Sequence, residues 1–288
     1  MDRRDPAPAF RPDRRRWLAV CAGAASLCAG APALATIDGL PEAINQAGRQ
    51  RMLSQRMSKA WLAIAQNVEP EQARAVLNRS VQVFDKQLVA LRAYAPNAEI
   101  RQTYAEQADA WAEYRRALQA GAPGRDAAPS LLQQDDRLLA LAHRGTVLYE
   151  KASGQPGAQL VNLAGRQRML SQRIAKFFLA AALPVDAAAS TAEIGKARTE
   201  FAAAMRQLRE SPRATPRIQD ELALGEQQWV FFDAALLKLL TARPGPAAPA
   251  VATAPLAPRS LAEVFVSSEN LLAVMDRVTG LFSAAPAA

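Results

Sequence analysis

The sequence predicts an all-α protein built from two tandem four-helix units, and three observations carry that expectation. Of its 288 residues, half are apolar and only 6% aromatic, with alanine, leucine, glutamine and arginine, all strong helix formers, dominating the composition. Runs of alternating β-branched residues, the mark of strands, are scarce. The string GRQRMLSQR occurs twice, letter for letter, at residues 48–56 and 165–173, as the peak of a longer self-similarity.

Residues 1–35 read as an export signal. A basic segment with Arg14, Arg15 and Arg16 leads into an Ala/Gly/Leu stretch and then Ala33-Leu34-Ala35, a small-x-small cleavage site. Asp13-Arg14-Arg15-Arg16-Trp17-Leu18 has the look of a twin-arginine signal, with Sec export as the alternative. Both cysteines, Cys21 and Cys28, lie in this leader, so the remainder offers no disulfide, thiolate nucleophile or cysteine metal site. The full chain carries +8; the leader takes six Arg and three Asp with it, which leaves about +5. That balance suits an anionic ligand. No basic stripe interleaved with aromatics points to nucleic acid.

Two units follow, at 36–150 and 151–288. Ile44-Asn45-Gln46-Ala47-Gly48 aligns with Val161-Asn162-Leu163-Ala164-Gly165 at an offset of 117, and the register runs on through Lys59 and Lys176. Phe84, Leu88 and Leu91 match Phe201, Met205 and Leu208; after one inserted residue, Trp111 and Tyr114 match Trp229 and Phe232. Leu138-Leu139-Ala140 with Arg144 resembles Leu271-Leu272-Ala273 with Arg277. Repetition on this scale means one supersecondary unit used twice.

Within the first unit, helix one is expected from Asp38/Pro41 to just before Pro70, helix two to Pro96, helix three to Gly121 and helix four from Ser130. In the second, the first helix follows the turn at 154–157 and stops at Pro184, and the next ends at Ser211-Pro212. Capping boxes are expected at Ser130/Gln133, Ser190/Glu193 and Ser260/Glu263. An Ala/Pro-rich stretch at 243–258 reads as a semi-stiff linker before the last helix. Long helices with short connections give up-and-down bundles, here two related by a pseudo-twofold.

On a helical wheel the repeated string has no single polar face. Ala47, Gly48, Arg51, Ser54, Gln55 and Ser58 fall within about a third of the circumference, Arg49 and Arg56 share another side with Asn45, Met52 and Lys59, and Leu53, Met57, Ala60 and Ile64 form an apolar stripe. A helix specified on all sides is one surrounded by partners. Gly48 costs about 1 kcal/mol relative to alanine, so the small-residue seam must allow a close approach. The expectation is that the two first helices face each other and bring Arg51 and Arg168 together. Two guanidiniums about 6 Å apart repel by about 3 kcal/mol at an effective dielectric near 20. A small anion between them removes that repulsion and gains charge-assisted hydrogen bonds. The motif holds no carboxylate; carboxylates from elsewhere, such as Asp38, Glu42 or Asp85, are candidates to neutralise the pair.

The run from Asn45 to Lys59 and its second copy resemble the signature of the PilJ-type sensor domain of type IV pilus chemotaxis transducers, which is similar to the P-box of the NarX/NarQ nitrate and nitrite sensor kinases. The resemblance implies a periplasmic four-helix bundle in which nitrate or nitrite binds between two symmetry-related first helices. Carried over, the ligand-binding residues are Arg51 and Arg168, Gly48 and Gly165, beside Ala47 and Ala164. Secondary or structural roles fall to Arg49, Arg56, Arg166, Arg173, Gln55, Gln172, Asn45 and Asn162. Arg49-Gln50 and Arg166-Gln167 stand where the kinases carry smaller or apolar residues. The chain shows no transmembrane helix, HAMP linker, kinase or methyl-accepting module, so signalling calls for a membrane receptor or transporter partner. The tandem copies imply a monomer with an internal pseudo-dimer, or a homodimer.

Enzymatic activity is not expected: no Ser/His/Asp set, paired acids, phosphate loop or metal spacing is visible. His143, the one histidine, is a poor metal ligand or general base by itself. Met52, Met169, Trp61, Trp111 and Trp229 read as core. Two function classes therefore stand: an exported sensor of a small oxyanion, and a structural or adaptor protein of the cell envelope whose duplicated motif locks helices together.

Overall fold

The computed structural model describes residues 37–183, 185–240 and 257–285. These form eight α-helices and no strand: α1 (Leu40–Ala65), α2 (Pro70–Tyr94), α3 (Ala98–Gln119), α4 (Ala128–Ser153), α5 (Pro156–Ala182), α6 (Ala187–Arg209), α7 (Pro216–Leu240) and α8 (Pro258–Ala284). The expected leader and nearly all of the 243–258 linker lie outside the described residues.

Proline explains most of the helix starts. It occupies the first or second position of α1, α2, α4, α5 and α8, where its fixed φ suits the helix and its missing N–H would have had no partner. This corrects the expected capping boxes. Ser130 and Ser260 sit inside α4 and α8, whose starts at Ala128 and Pro258 carry no side-chain cap. Ser190 is internal to α6, and its hydroxyl donates back to the Val185 carbonyl while Asp186 caps the Ala189 amide. In α3, Asn97 caps the amide of Ile100 at 2.9 Å.

The packing repeats. In the first unit α1 lies against α2 and α4, and α3 closes the bundle mainly against α4; in the second, α5 lies against α6 and α8, with α7 mainly against α8. Phe84 stacks on Trp111 with ring centroids 4.2 Å apart, and Phe201 on Trp229 at the same 4.2 Å. The aromatic anchor was thus duplicated along with the helices.

The most extensive pairing in the molecule joins the two units through α1 and α5. Ala47, Gly48, Ala164 and Gly165 are buried along it, and small side chains let the two backbones approach. With α8 also touching α1, and α4 touching α5, each motif helix is enclosed on several sides. Enclosure explains why this segment specifies every face: Arg51, Ser54, Gln55, Ser58 and Lys59 are as buried as Leu53 and Met57. No helix among the described residues is long and apolar enough to cross a membrane.

Candidate functional site

The two motif arginines meet at the seam. A Cβ placed on Gly48 would lie 3.2 Å from Arg51 Nη2 and 3.5 Å from Arg168 Nη2; one placed on Gly165 would lie 3.2 Å from Arg168 Nη2 and 3.7 Å from Arg51 Nη2. Both glycines therefore make room for both guanidiniums. The side chains are 1% and 0% exposed, so two cations are held together away from water. Burial, then repulsion from the Arg166 and Arg168 charges, pushes the Arg51 pKa down to about 9. Burial also lowers Arg168, to about 10, against the stabilising Asp276. Each Nε lacks an acceptor.

The asparagines of the motif close the site. Asn162 Oδ1 accepts from Arg51 Nη2 at 2.7 Å, and its amide donates to Glu150. The Asn45 carbonyl accepts from Arg168 Nη2 at 3.0 Å. Gln55 and Gln172 lie apart from the arginine pair: Gln55 donates to Asp135 at 2.9 and 3.0 Å, and Gln172 donates to the Ser268 carbonyl at 2.9 Å.

The outer arginines of each string are tied to neighbouring helices. Arg49 reaches Asp276 and Arg56 reaches Glu269, both on α8. Arg166 pairs with Glu200 and Arg173 with Glu193, both on α6. Beneath them the motif lysines are wholly buried. Lys59 Nζ donates to Ser268 Oγ at 2.8 Å and Glu269 at 2.6 Å; Lys176 Nζ donates to Asp135 at 2.7 Å.

One expectation is corrected. The carboxylate that reaches the arginine pair is Asp276, 2.7 Å from Arg168 Nη1, and not Asp38, Glu42 or Asp85. Asp85 instead accepts from Trp111 and Arg115. Arg51 has no such carboxylate: its Nη1 faces His143 Nδ1 at 3.3 Å. Asp276 was not singled out from the sequence, and His143 was weighed only as a metal ligand or general base, although the register that sets Leu138 on Leu271 also sets His143 on Asp276. That alignment was the available signal.

Two clefts flank the seam and are built from equivalent positions. One, of about 410 Å³ between α4, α5 and α6, is lined by Arg51, His143, Arg166, Met169 and Leu170 among others. Its twin, of about 350 Å³ between α8, α1 and α2, is lined by Asp276, Arg49, Met52 and Leu53. Among the described residues no cluster of His, Cys, Asp and Glu suits a metal ion.

The family model described as type IV pili methyl-accepting chemotaxis transducer N-terminal domain, PilJ, matches residues 33–140 and again 151–253. No curated protein and no solved structure matches the chain. With both copies of the repeated string inside these matches, which together span most of the sequence, the chain belongs to the PilJ family of sensory signalling domains.

Proposed function

We propose that the chain is an exported, periplasmic sensor module that binds one small oxyanion, nitrate or nitrite, between α1 and α5, and passes the bound state to a membrane receptor or transporter. The observation that supports this reading is the buried pair itself. Arg51 and Arg168 are brought against the same two glycines with an acceptor-free Nε on each, and Asp276 alone among their neighbours contributes a carboxylate at hydrogen-bond distance. Burying like charges side by side is unfavourable, and an anion accepting from both guanidiniums offsets it. Nitrate and nitrite are planar oxygen acceptors that match the planar guanidinium fork. In this reading the covalent link between repeats replaces the second chain of a dimeric receptor, and Gly48, Gly165, Ala47 and Ala164 hold the helices close enough for one anion to touch both arginines.

The competing adaptor reading rests on Asp276, which already matches Arg168 and would make the seam a helix lock. Calorimetric titration and thermal unfolding of the purified chain with nitrate, nitrite, sulfate and phosphate separate the two. Nitrate or nitrite at 100 times its dissociation constant is expected to stabilise the fold by about 2.7 kcal/mol. Arg51→Ala combined with Arg168→Ala is expected to abolish that shift. No response to any of the four anions, with stability lost in the double variant, establishes the helix lock in its place.

A further inference from the structure

The two clefts are equivalent by descent and unequal in chemistry. On the α8 side the Asp276 carboxylate bridges two arginines of different helices, accepting from Arg168 Nη1 at 2.7 Å and from Arg49 Nη2 at 2.6 Å. On the α4 side the corresponding arginines are Arg51 and Arg166, and the residue at the bridging position is His143. An imidazole there presents one nitrogen to Arg51 Nη1 at 3.3 Å and supplies no negative charge.

The other cations of this cleft have carboxylate partners. Arg166 pairs with Glu200, while Arg173 and Lys196 share Glu193. Arg51 is held by neutral acceptors only, His143 Nδ1 together with the Asn162 carbonyl and Oδ1, and its buried Nε has none. Burial, Arg51 and Arg166 together lower the His143 pKa, so the ring stays neutral near neutral pH. Behind the arginines the wall is apolar, formed by Leu139, Ala140, Met169, Leu170 and Ala197. The volume of about 410 Å³ falls in the range of small-molecule pockets, about 300–1,000 Å³.

We propose that the α4/α5/α6 cleft binds a small organic monocarboxylate, its carboxylate bridging Arg51 and Arg166 as Asp276 bridges Arg168 and Arg49, and its aliphatic body lying on Leu139, Met169 and Leu170. The protein thus carries its own template for the ligand: one half holds a carboxylate covalently on α8, and the other takes one from solution. The ligand oxygen replaces His143 Nδ1 as acceptor for Arg51 Nη1, and the exposed imidazole turns aside. The site does not depend on oxyanion binding at the seam. It engages Arg51 from the cleft and Arg166 in place of Arg168, so the two ligands compete only through Arg51.

The test is calorimetric titration of the purified chain with hexanoate, and with acetate and 1-hexanol as probes lacking the body or the carboxylate. One hexanoate per chain is expected, with acetate at least tenfold weaker and no binding of 1-hexanol. His143→Asp, at an exposed position, sets a carboxylate beside Arg51 as in the twin and is expected to weaken hexanoate at least tenfold with the thermal midpoint retained. Arg166→Gln is expected to weaken hexanoate while sparing nitrate. Absence of hexanoate binding, or equal binding by the wild type and His143→Asp, overturns the proposal. Hexanoate binding without nitrate binding leaves the cleft standing and removes the oxyanion reading alone.

Discussion

The α1 and α5 halves of the molecule share one nonapeptide and have diverged in what surrounds it. Lys59 meets Ser268 and Glu269, whereas Lys176 meets Asp135 directly. Gln50 has a partner at each end of its amide, and Gln167 has none. Arg168 faces a carboxylate and Arg51 an imidazole. In each case the motif side chain is the same and the difference comes from a helix packed against it. Duplication kept the part that demands buried polar groups and left the satisfying partners to change separately in each half.

The lysine layer should show the widest gap between halves. Lys176 and Asp135 are both 0% exposed, and the remaining hydrogen bonds to Asp135 come from the Gln55 amide. Lys176→Met leaves a carboxylate buried without a cation, for which the expected loss is about 3–5 kcal/mol. Lys59→Met leaves Glu269 part-exposed and still held by Arg56, with an expected loss of about 1–3 kcal/mol. Urea denaturation of the two variants measures the gap. Equal losses would mean that the two lysines sit in equivalent electrostatic settings after all.

A second difference between the layers follows pH. Burial alone would raise the Glu269 carboxyl, but Lys59 and Arg56 outweigh it and hold the group at about 2. A depressed carboxyl contributes stability that is complete above its unfolded value near 4.5 and is lost as pH falls from there toward 2. The expected size is about 3 kcal/mol at about 1.4 kcal/mol per unit. Stability measured by denaturant unfolding from pH 6 to pH 2 should therefore fall less steeply in Glu269→Gln than in the wild type. Parallel curves would remove Glu269 from the acid response.

Much of this architecture could be read from the chain before its coordinates. Helix periodicity, proline positions and the offset of 117 lead to eight helices in two bundles, because helix boundaries and core stripes depend on local chemistry. The meeting of Arg51 with Arg168 was also legible: the small-residue seam on a helix with no free face leaves few other ways to pack. The three serine boxes misled because proline or Asp186 had already started each helix upstream. Asp276, Asp135 and Glu269 were missed for a different reason. Each lies far along the chain from the motif it serves, and an acidic residue on an amphipathic helix looks like part of a solvated face until the facing helix is known.

The smallest expected effect carries the clearest sign. Gln50 donates to Gln87 Oε1 at 3.2 Å and the Phe84 carbonyl at 3.3 Å, and accepts from Gln107 at 3.3 Å. At the repeat register Gln87 becomes Ala204 and Gln107 becomes Gly225, where a Cβ would meet Met275 and Met205 at 3.3 and 3.4 Å. The second half has therefore turned apolar around Gln167, which is 0% exposed with both amide atoms unpaired. A buried amide without partners costs about 1–3 kcal/mol, whereas a satisfied one contributes. Gln167→Leu should accordingly raise stability by about 1–2 kcal/mol, and Gln50→Leu should lower it by about 1–3 kcal/mol. Opposite shifts of the two denaturation midpoints are the required result. A fall in both would show that the second copy of the string still uses its glutamine, and that the halves diverged less than their packing indicates.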